Sequence, residues 1–586
     1  MGSRAEALPP VRPLAEPGPV VSTDKPIHLS QPSRPAPSAN PPRLLVIGAG
    51  SRGQAYAHAV NTVTNGLIAA VAEPHPFKRA SFGRNYLWGL RTNSDDDAQP
   101  REGESFTSWT DFITYERTRR QRVAAGEANV PPGVDGVFVC VLDEMHRQVV
   151  VALAQLGGLH IMCEKPLATN LADCVAMYRA LRDNVDPCTG EPYVFSIGHV
   201  LRYSPHNVEL RRLLLEERVI GDVLSVVHTE PVGWWHFTHS YVRGNWRRED
   251  TTAPSLLTKS CHDIDVLLWL LCSPVKHGGE QQAGSSSVEE RQRPHLPATV
   301  SSSGRLQYFK KSRKPIGAGS ATNCLSCPIE QTCKYSAKRI YTGDKPFKGL
   351  DAGVTGWPVS IVLPEIEDLG TGLEGREALM AKLAEDYPPG TSDVEIAKRN
   401  WFGRCVYESD NDVLDEQVVT ITWDDDILPS ASPDEKNPMA DRLGSRGAKQ
   451  ATFHMVAQTK RQCERFTRIY GVDGEIYADS YTITVQDFNT GKTTTHTPNM
   501  ESMGHGGGDL GLARQFVEAI DAVKNRRHEG WTSDRAQKEI IRCTLDEVIR
   551  SHAMVFCAED ARTGKKVVDW SDWWAKEVEA NLDAHK

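Results

Sequence analysis

The sequence predicts an α/β protein of two domains, the first with a parallel sheet and the second with a largely antiparallel one. Three observations carry that expectation. From Arg43 to about Gly198, short apolar runs alternate with stretches of helical periodicity, the pattern of strands joined by crossover helices. Beyond residue 200 the strand-like runs lengthen and fill with β-branched and aromatic residues, which suit a pleated, half-buried surface. At 586 residues the chain also exceeds what one core normally accommodates.

Taken in order, residues 1–42 hold 11 prolines and no aromatic residue. Such a segment buries too little apolar surface to offset its ordering entropy and reads as a disordered tail. Residues 43–198 form the first domain, with strands at Arg43–Ile47, Leu67–Ala72, Gly136–Leu142, His160–Cys163 and Tyr193–Ile197. Helices such as Met145–Gln155 lie between them, and right-handed crossovers make the sheet parallel. Residues 199–586 form the second domain, with strands at Val223–His228, Val418–Trp423, Arg465–Tyr470 and Tyr481–Asp487. Polar stretches at about 278–303 and 424–449 read as inserted loops. An amphipathic helix runs from Ser260 to near Leu271, and further helices are expected over Leu510–Lys524 and Ser533–Glu559.

Composition narrows the function classes. A net charge of −9 disfavours nucleic acid or an anionic membrane as the main partner. The longest apolar runs, such as Val266–Cys272, are too short to cross a bilayer. The N-terminal residues lack the apolar core of a secretory signal. Thirteen scattered cysteines do not form a disulfide framework, which points to a reducing, cytoplasmic setting.

The first strand runs directly into Gly48-Ala49-Gly50-Ser51-Arg52-Gly53, and a helical stretch follows. In that context the glycines have separate jobs: Gly48 permits a tight turn, Gly50 lets the backbone approach a pyrophosphate, and Gly53 packs helix against strand. The helix N-terminus then faces the phosphates. The second strand ends at Glu73, twenty residues beyond Gly53, where a carboxylate accepts from ribose hydroxyls and repels a 2′-phosphate. The pattern is a Rossmann dinucleotide site with NAD(H) favoured over NADP(H), although Lys78 and Arg79 stand nearby.

About 110 residues later comes Glu164-Lys165-Pro166, then Gly198-His199 with Leu201-Arg202-Tyr203, Ile220-Gly221-Asp222 and His262-Asp263-Ile264-Asp265. In this order the segments resemble the Gfo/Idh/MocA oxidoreductases, in particular their long, cysteine-containing members. The resemblance covers about residues 43–560. It implies hydride transfer between a nicotinamide and a sugar-like, inositol-like or related hydroxyl or carbonyl compound, and oligomerisation through the C-terminal sheet. It also puts Lys165 at the reacting oxygen as the proton carrier, with His262 beside the substrate and His146 near the cofactor. Chemistry supports the lysine independently, because oxidising an alcohol releases a proton as well as a hydride. Desolvation beside a cationic ring would lower its pKa toward working pH.

Cofactor contacts are thus expected from Gly48, Gly50, Ser51, Arg52, Gly53, Glu73, His146, Glu164 and Lys165. Candidate substrate contacts are Arg202, Tyr203, Lys259, Asp265 and His505, the last within the glycine-dense Gly504–Asp509. Trp234, Trp235 and Trp246 read either as a stacking wall or as core. The sequence departs from the polyol dehydrogenases of the family at Thr258, where they carry an aspartate four residues before the histidine. Cys324, Cys327 and Cys333 have metal-like spacing, and Cys405 is the far partner that would complete a structural zinc site; the alternative is a set of buried free thiols. Two other functions stay open: glycoside cleavage through transient oxidation, suggested by Gly-His-Gly-Gly, and nucleotide sensing without turnover.

Overall fold

In the computed structural model the described residues are 34–91, 99–274, 293–344, 347–427, 445–499 and 505–583. Arg43–Ile47 (β1) is buried at every position after the first, as expected of a parallel strand covered on both faces. It lies between β2 (Leu67–Ala72) and β4 (Gly136–Val139) in a six-stranded sheet of order β3-β2-β1-β4-β5-β6. The remaining strands are β3 (Ser105–Phe106), β5 (His160–Cys163) and β6 (Phe195–Ile197). Every pairing in it is parallel. The order reverses between β1 and β4, the crevice where doubly wound sheets bind ligands. Helices α1 (Ser51–Val63), α2 (Pro76–Tyr86), α3 (Trp109–Ala124), α4 (His146–Leu156) and α5 (Leu171–Asp183) connect the strands.

After α6 (Pro205–Leu215), the second sheet has nine strands in the order β16-β15-β14-β13-β7-β12-β9-β8-β17. Its members are β7 (Val223–Pro231), β8 (Thr299–Arg305), β9 (Glu416–Trp423) and β12 (Lys449–Val456), with β13 (Phe466–Gly471), β14 (Gly474–Ala478), β15 (Ile483–Asp487), β16 (Thr493–His496) and β17 (Val568–Asp569). Only β7 with β12 pairs in parallel; the other pairings in the sheet are antiparallel. In β9 buried positions alternate with half-buried ones, so one face is covered. The opposite face leaves Val227, Tyr470 and Tyr477 exposed.

Several expectations change. Residues 1–33 lie outside the described residues, whereas Arg34 donates through Nε to Thr64 O at 3.1 Å and through Nη2 to Gly66 O at 3.0 Å. The tail assignment therefore overruns into a segment tied to the first domain. Of the two inserted loops, 275–292 and 428–444 lie outside the described residues; within the rest, β8 begins at Thr299, and Asp426–Ile427 (β10) pairs with Ser445–Arg446 (β11). Short helices α7 (Trp234–Phe237) and α8 (Ser255–Thr258) precede α9 (Cys261–Leu271). The last is not amphipathic, because all of its residues are buried.

Between β8 and β9 the chain also folds a satellite unit that sequence periodicity does not reveal. Its core joins Ile340 and Tyr341 of α10 (Ala337–Thr342) to Leu379 and Leu383 of α11 (Leu373–Ala384), with Trp235 and Phe402. Trp235 is thereby a packing residue and not part of a stacking wall.

The C-terminal helices return to the first domain. Along α12 (Gly508–Asn525), Phe516 meets Phe138 edge-on at 5.2 Å, and Lys524 pairs with Asp135 at 2.8 Å. Gln537 both accepts from Phe195 N at 2.9 Å and donates to Phe195 O at 2.8 Å, blunting the edge of β6. The single helix expected over Ser533–Glu559 is broken at Arg542, whose φ is +55°. It restarts as α13 (Leu545–Gly564) from a capping box of Thr544 and Glu547.

Candidate active site

The turns after β1, β2, β4, β5 and β6 meet at one end of the first sheet. Gly48 has φ +95°, and a Cβ there would lie 2.4 Å from Cys140 O. At Gly53 a Cβ would lie 2.0 Å from Gly48 O, so that helix and turn touch backbone to backbone. Gly50 is the N-cap of α1, followed by Ser51 in its first turn. A Cβ at Gly50 would meet nothing within 4 Å, which leaves open space over the helix N-terminus where a pyrophosphate is favoured.

Glu73 is buried at the end of β2 and accepts from Ala49 N at 2.8 Å and from His75 N at 2.8 Å. Each carboxylate oxygen keeps a further lone pair for a ribose hydroxyl. Arg79 donates to Glu73 O at 2.5 Å. The turn, the open helix end and the acid together fit a dinucleotide of the NAD type.

Arg52 ties this turn to two distant segments. Its Nε donates to Glu164 Oε1 at 2.7 Å, and its Nη2 donates to Asp509 Oδ1 at 2.8 Å and to the Tyr56 hydroxyl at 2.6 Å. Tyr56 in turn donates to Glu164 Oε1 at 2.5 Å. Burial alone would raise the Glu164 carboxyl, but Arg52 and the Tyr56 hydroxyl hold it below its ordinary value. The same competition, won by Arg52 and His505, holds Asp509 well below the usual carboxylate range. Asp509 is not the N-cap of α12: Gly507 is, and Asp509 lies inside the first turn, facing Arg52. Gly504 lies outside the described residues.

Lys165 donates from Nζ to Thr258 O at 2.7 Å and stands 5.7 Å from the centre of the Trp246 ring. Trp246 donates from Nε1 to Asp143 Oδ2 at 2.7 Å and stacks on Tyr241 at 5.6 Å. The lysine is thus held between a main-chain carbonyl and an aromatic wall. Asp143 and Tyr241 escape sequence reading; the one signal for Asp143 is its place just beyond the end of β4.

His262 is 4% exposed, and its Nδ1 has no hydrogen-bond partner among the described residues. Burial first, then the charge of Lys165, holds its imidazole far below the ordinary value and therefore neutral. His505 stands 6.1 Å away, ring to ring, and donates from Nδ1 to Asp509 Oδ1 at 3.1 Å. His199 lies 5.9 Å from His262 on its other side. A neutral, unpartnered imidazole beside an ammonium is an arrangement suited to a substrate hydroxyl.

Other expected contacts are committed elsewhere. Fully buried His146 turns Nδ1 to Pro166 O at 2.7 Å and Nε2 to Val141 O at 3.3 Å. It therefore fixes the turn that carries Lys165, and both of its ring nitrogens are turned to main-chain carbonyls. Arg202 forms a two-pronged pair with Asp265 at 2.7 and 2.8 Å and also pairs with Glu547 at 3.0 Å. Tyr203 donates to Ile541 O at 3.2 Å. Arg202 thereby joins α9 to α13, and the Tyr203 hydroxyl is bonded to the chain just before α13, so these side chains are committed within the protein. Lys259 pairs with Glu230 at 3.0 Å and donates to Cys463 Sγ at 2.9 Å. It is likewise a buried structural cation.

Cys324, Cys327, Cys333 and Cys405 line one small cavity. Among the described residues, no three His, Cys, Asp or Glu side chains are drawn together tightly enough to form a ready-made metal site. No helix among these residues is long and apolar enough to cross a membrane.

Comparison with known proteins bears on the first domain. Residues 43–189 match the profile described as an oxidoreductase family with an NAD-binding Rossmann fold. The 2,7-anhydro-N-acetylneuraminate hydratase of Escherichia coli is 30% identical over 138 residues, which is 24% of this chain and 34% of that protein. Inositol 2-dehydrogenase 2 of Paenarthrobacter aurescens is 30% identical over 158 residues, 27% of this chain and 43% of that one. The chain thus spans about a third of the length of the first of these curated relatives and less than half of the second. A levoglucosan dehydrogenase solved with NADH and levoglucosan superposes with a TM-score of 0.50 at 14% identity, over 90% of this chain and 99% of that one, a likeness of fold. Residues 43–189 thus match the NAD-binding Rossmann domain of the Gfo/Idh/MocA oxidoreductases, and in this chain a second α/β domain follows it.

Proposed function

We propose that this chain is an NAD(H)-dependent oxidoreductase that moves a hydride to or from a hydroxyl- or carbonyl-bearing carbon of a sugar-like or polyol small molecule. The observation that carries this is Lys165, fixed on Thr258 O at 2.7 Å, with the neutral, unpartnered His262 beside it. When bound, the nicotinamide accepts or supplies the hydride. Lys165 takes the hydroxyl proton in oxidation or returns it in reduction, while His262 hydrogen-bonds and orients the same oxygen. The wall of Trp246 and Tyr241 stands against one side of the lysine. Glu73 favours NAD(H) over NADP(H), since a 2′-phosphate would meet its charge.

A second reading has one observation in its favour. A relative matching the same domain is called a hydratase, a reaction without net redox change, and His505 stands 6.1 Å from His262. In that reading oxidation is transient and a bond elsewhere in the substrate is cleaved. Absorbance of NADH during incubation with sugars, inositols, anhydrosugars and glycosides separates the readings. Net NADH formation supports the first, and product without net NADH the second. Cofactor binding with neither would mark a nucleotide sensor and overturn both. The exposed face carrying Val227, Tyr470 and Tyr477 is the surface through which we expect a homo-oligomer to form, and light scattering in solution tests it.

A further inference from the structure

A buried cation without an anion points to a second site, independent of the redox reading. Arg243 is 1% exposed. Its Nε donates to Arg404 O at 2.7 Å, and its Nη2 donates to Tyr335 O at 2.8 Å and to Cys324 Sγ at 3.4 Å. Its Nη1 has no partner, and no carboxylate among the described residues pairs with it. A guanidinium does not deprotonate in proteins, and burying an uncompensated charge costs several kcal/mol. The arginine thus calls for negative charge nearby; four thiols line the same cavity, and Glu330, which also lines it, accepts from Ser336 Oγ and does not pair with the arginine.

Their placement is specific. Asn323 and Arg404 form an antiparallel bridge, in which Cys324 N donates to Gly403 O and Cys405 N to Thr322 O, each at 2.8 Å. That bridge sets Cys324 and Cys405 side by side on separate segments. Single turns at Cys324–Ser326 and Glu330–Thr332 bring Cys327 and Cys333 round to the same cavity. Its volume is about 20 Å³, and Arg243, Tyr335 and Glu330 are among the other residues that line it. That is room for about one small occupant, so a single ion fits and a multi-iron cluster does not.

We propose that Cys324, Cys327, Cys333 and Cys405 bind one zinc ion as a tetrathiolate, with Arg243 as its buried counter-charge. Four sulfurs in tetrahedral array select zinc over the harder cations. Binding releases one proton from each thiol and moves no electrons; the resulting dianionic centre is half neutralised by Arg243. The sulfurs line the cavity without converging tightly on it, so binding must draw them together; Cys324 is buried, and Cys327, Cys333 and Cys405 are half-buried. Arg243 directly follows the turn Thr238–Val242 that carries Tyr241, and Trp246 lies three residues on. The metal would therefore brace the wall that covers Lys165.

The test uses the full chain. Elemental analysis of chelator-washed protein should find about one zinc per chain, released on titration with an organomercurial. Protein produced with cobalt(II) should show sulfur-to-cobalt charge transfer and tetrahedral d–d bands. Arg243→Met should weaken metal binding about 10–100-fold, and Arg243→Lys should weaken it less. Natively folded wild-type protein that holds neither zinc nor cobalt overturns the proposal. So does iron with acid-labile sulfide, or a metal retained unchanged by Arg243→Met. The wild-type readouts do not depend on any variant folding.

Discussion

Arg52 Nη2 donates to Asp509 Oδ1 at 2.8 Å across 457 residues of sequence, while its Nε reaches Glu164 Oε1 at 2.7 Å. One guanidinium thereby joins the glycine-rich turn, the segment that presents Lys165 and the helix that returns from the second domain. Both carboxylates are buried, so they depend on it. We predict that Arg52→Met destabilises the protein by about 3 kcal/mol, the scale for removing one partner of a buried ion pair. Adding Asp509→Asn to Arg52→Met should recover part of the loss. Thermal melts decide, and an unshifted midpoint for Arg52→Met alone would defeat the idea.

Cofactor choice rests on Glu73. Its carboxylate holds Ala49 N and His75 N and keeps lone pairs for the ribose diol. Hydrogen bonds to a charged acceptor are worth about 1.5–3 kcal/mol, so Glu73→Ala should weaken NAD(H) about 10–100-fold. Affinity for NADP(H) should stay level or improve as the repulsion disappears. Fluorescence titration of both cofactors measures the gap. A wild-type protein that prefers NADP(H) refutes the assignment.

Acid should unfold the protein early. Burial, with Arg202 and Lys165 opposing Asp265, pushes His199 down to about 4. Burial first, and then His199, pushes His552 down to about 3. The unfolded chain binds protons at both imidazoles as pH drops below about 6.5, while the folded chain does not. Stability is therefore complete above about pH 6.5 and lost progressively toward pH 4, at most about 3 kcal/mol for His199. The His199→Asn variant should flatten that slope in denaturant melts taken from pH 7 to pH 4.5. An unchanged slope rules His199 out as its source.

What the sequence reveals is what is local. Strand, glycine turn, helix and Glu73 fall within one short stretch, and each leaves its own mark. The Arg52–Asp509 contact leaves none, because nothing in either segment names the other. Helix α9 misleads for a different reason. Asp263 and Asp265 suggest a solvent face, yet both are buried and charge-paired, with Arg465 and Arg202. The same pairing removes Arg202 and Asp265 from the substrate contacts. The break at Arg542 is hidden because a non-glycine residue takes the left-handed conformation. The satellite unit is hidden because α10 is only six residues long and α11 buries only Gly375, Leu379 and Leu383, too few to mark an apolar face.

The most direct claim concerns Lys165. Its Nζ is pinned to Thr258 O and not to the glycine turn or Glu73, so removing it leaves the dinucleotide cradle intact. Proton transfer by a positioned group contributes about 10²–10⁴-fold. With a substrate in hand, Lys165→Met should slow hydride transfer on that scale while NAD(H) affinity changes little. His262→Ala should slow it less, since that imidazole orients the oxygen while the lysine carries the proton. Single-turnover measurement is required, because slow product release can mask a chemical defect. If Lys165→Met keeps a native single-turnover rate, the role passes to His262, and the Glu73 prediction stands untouched.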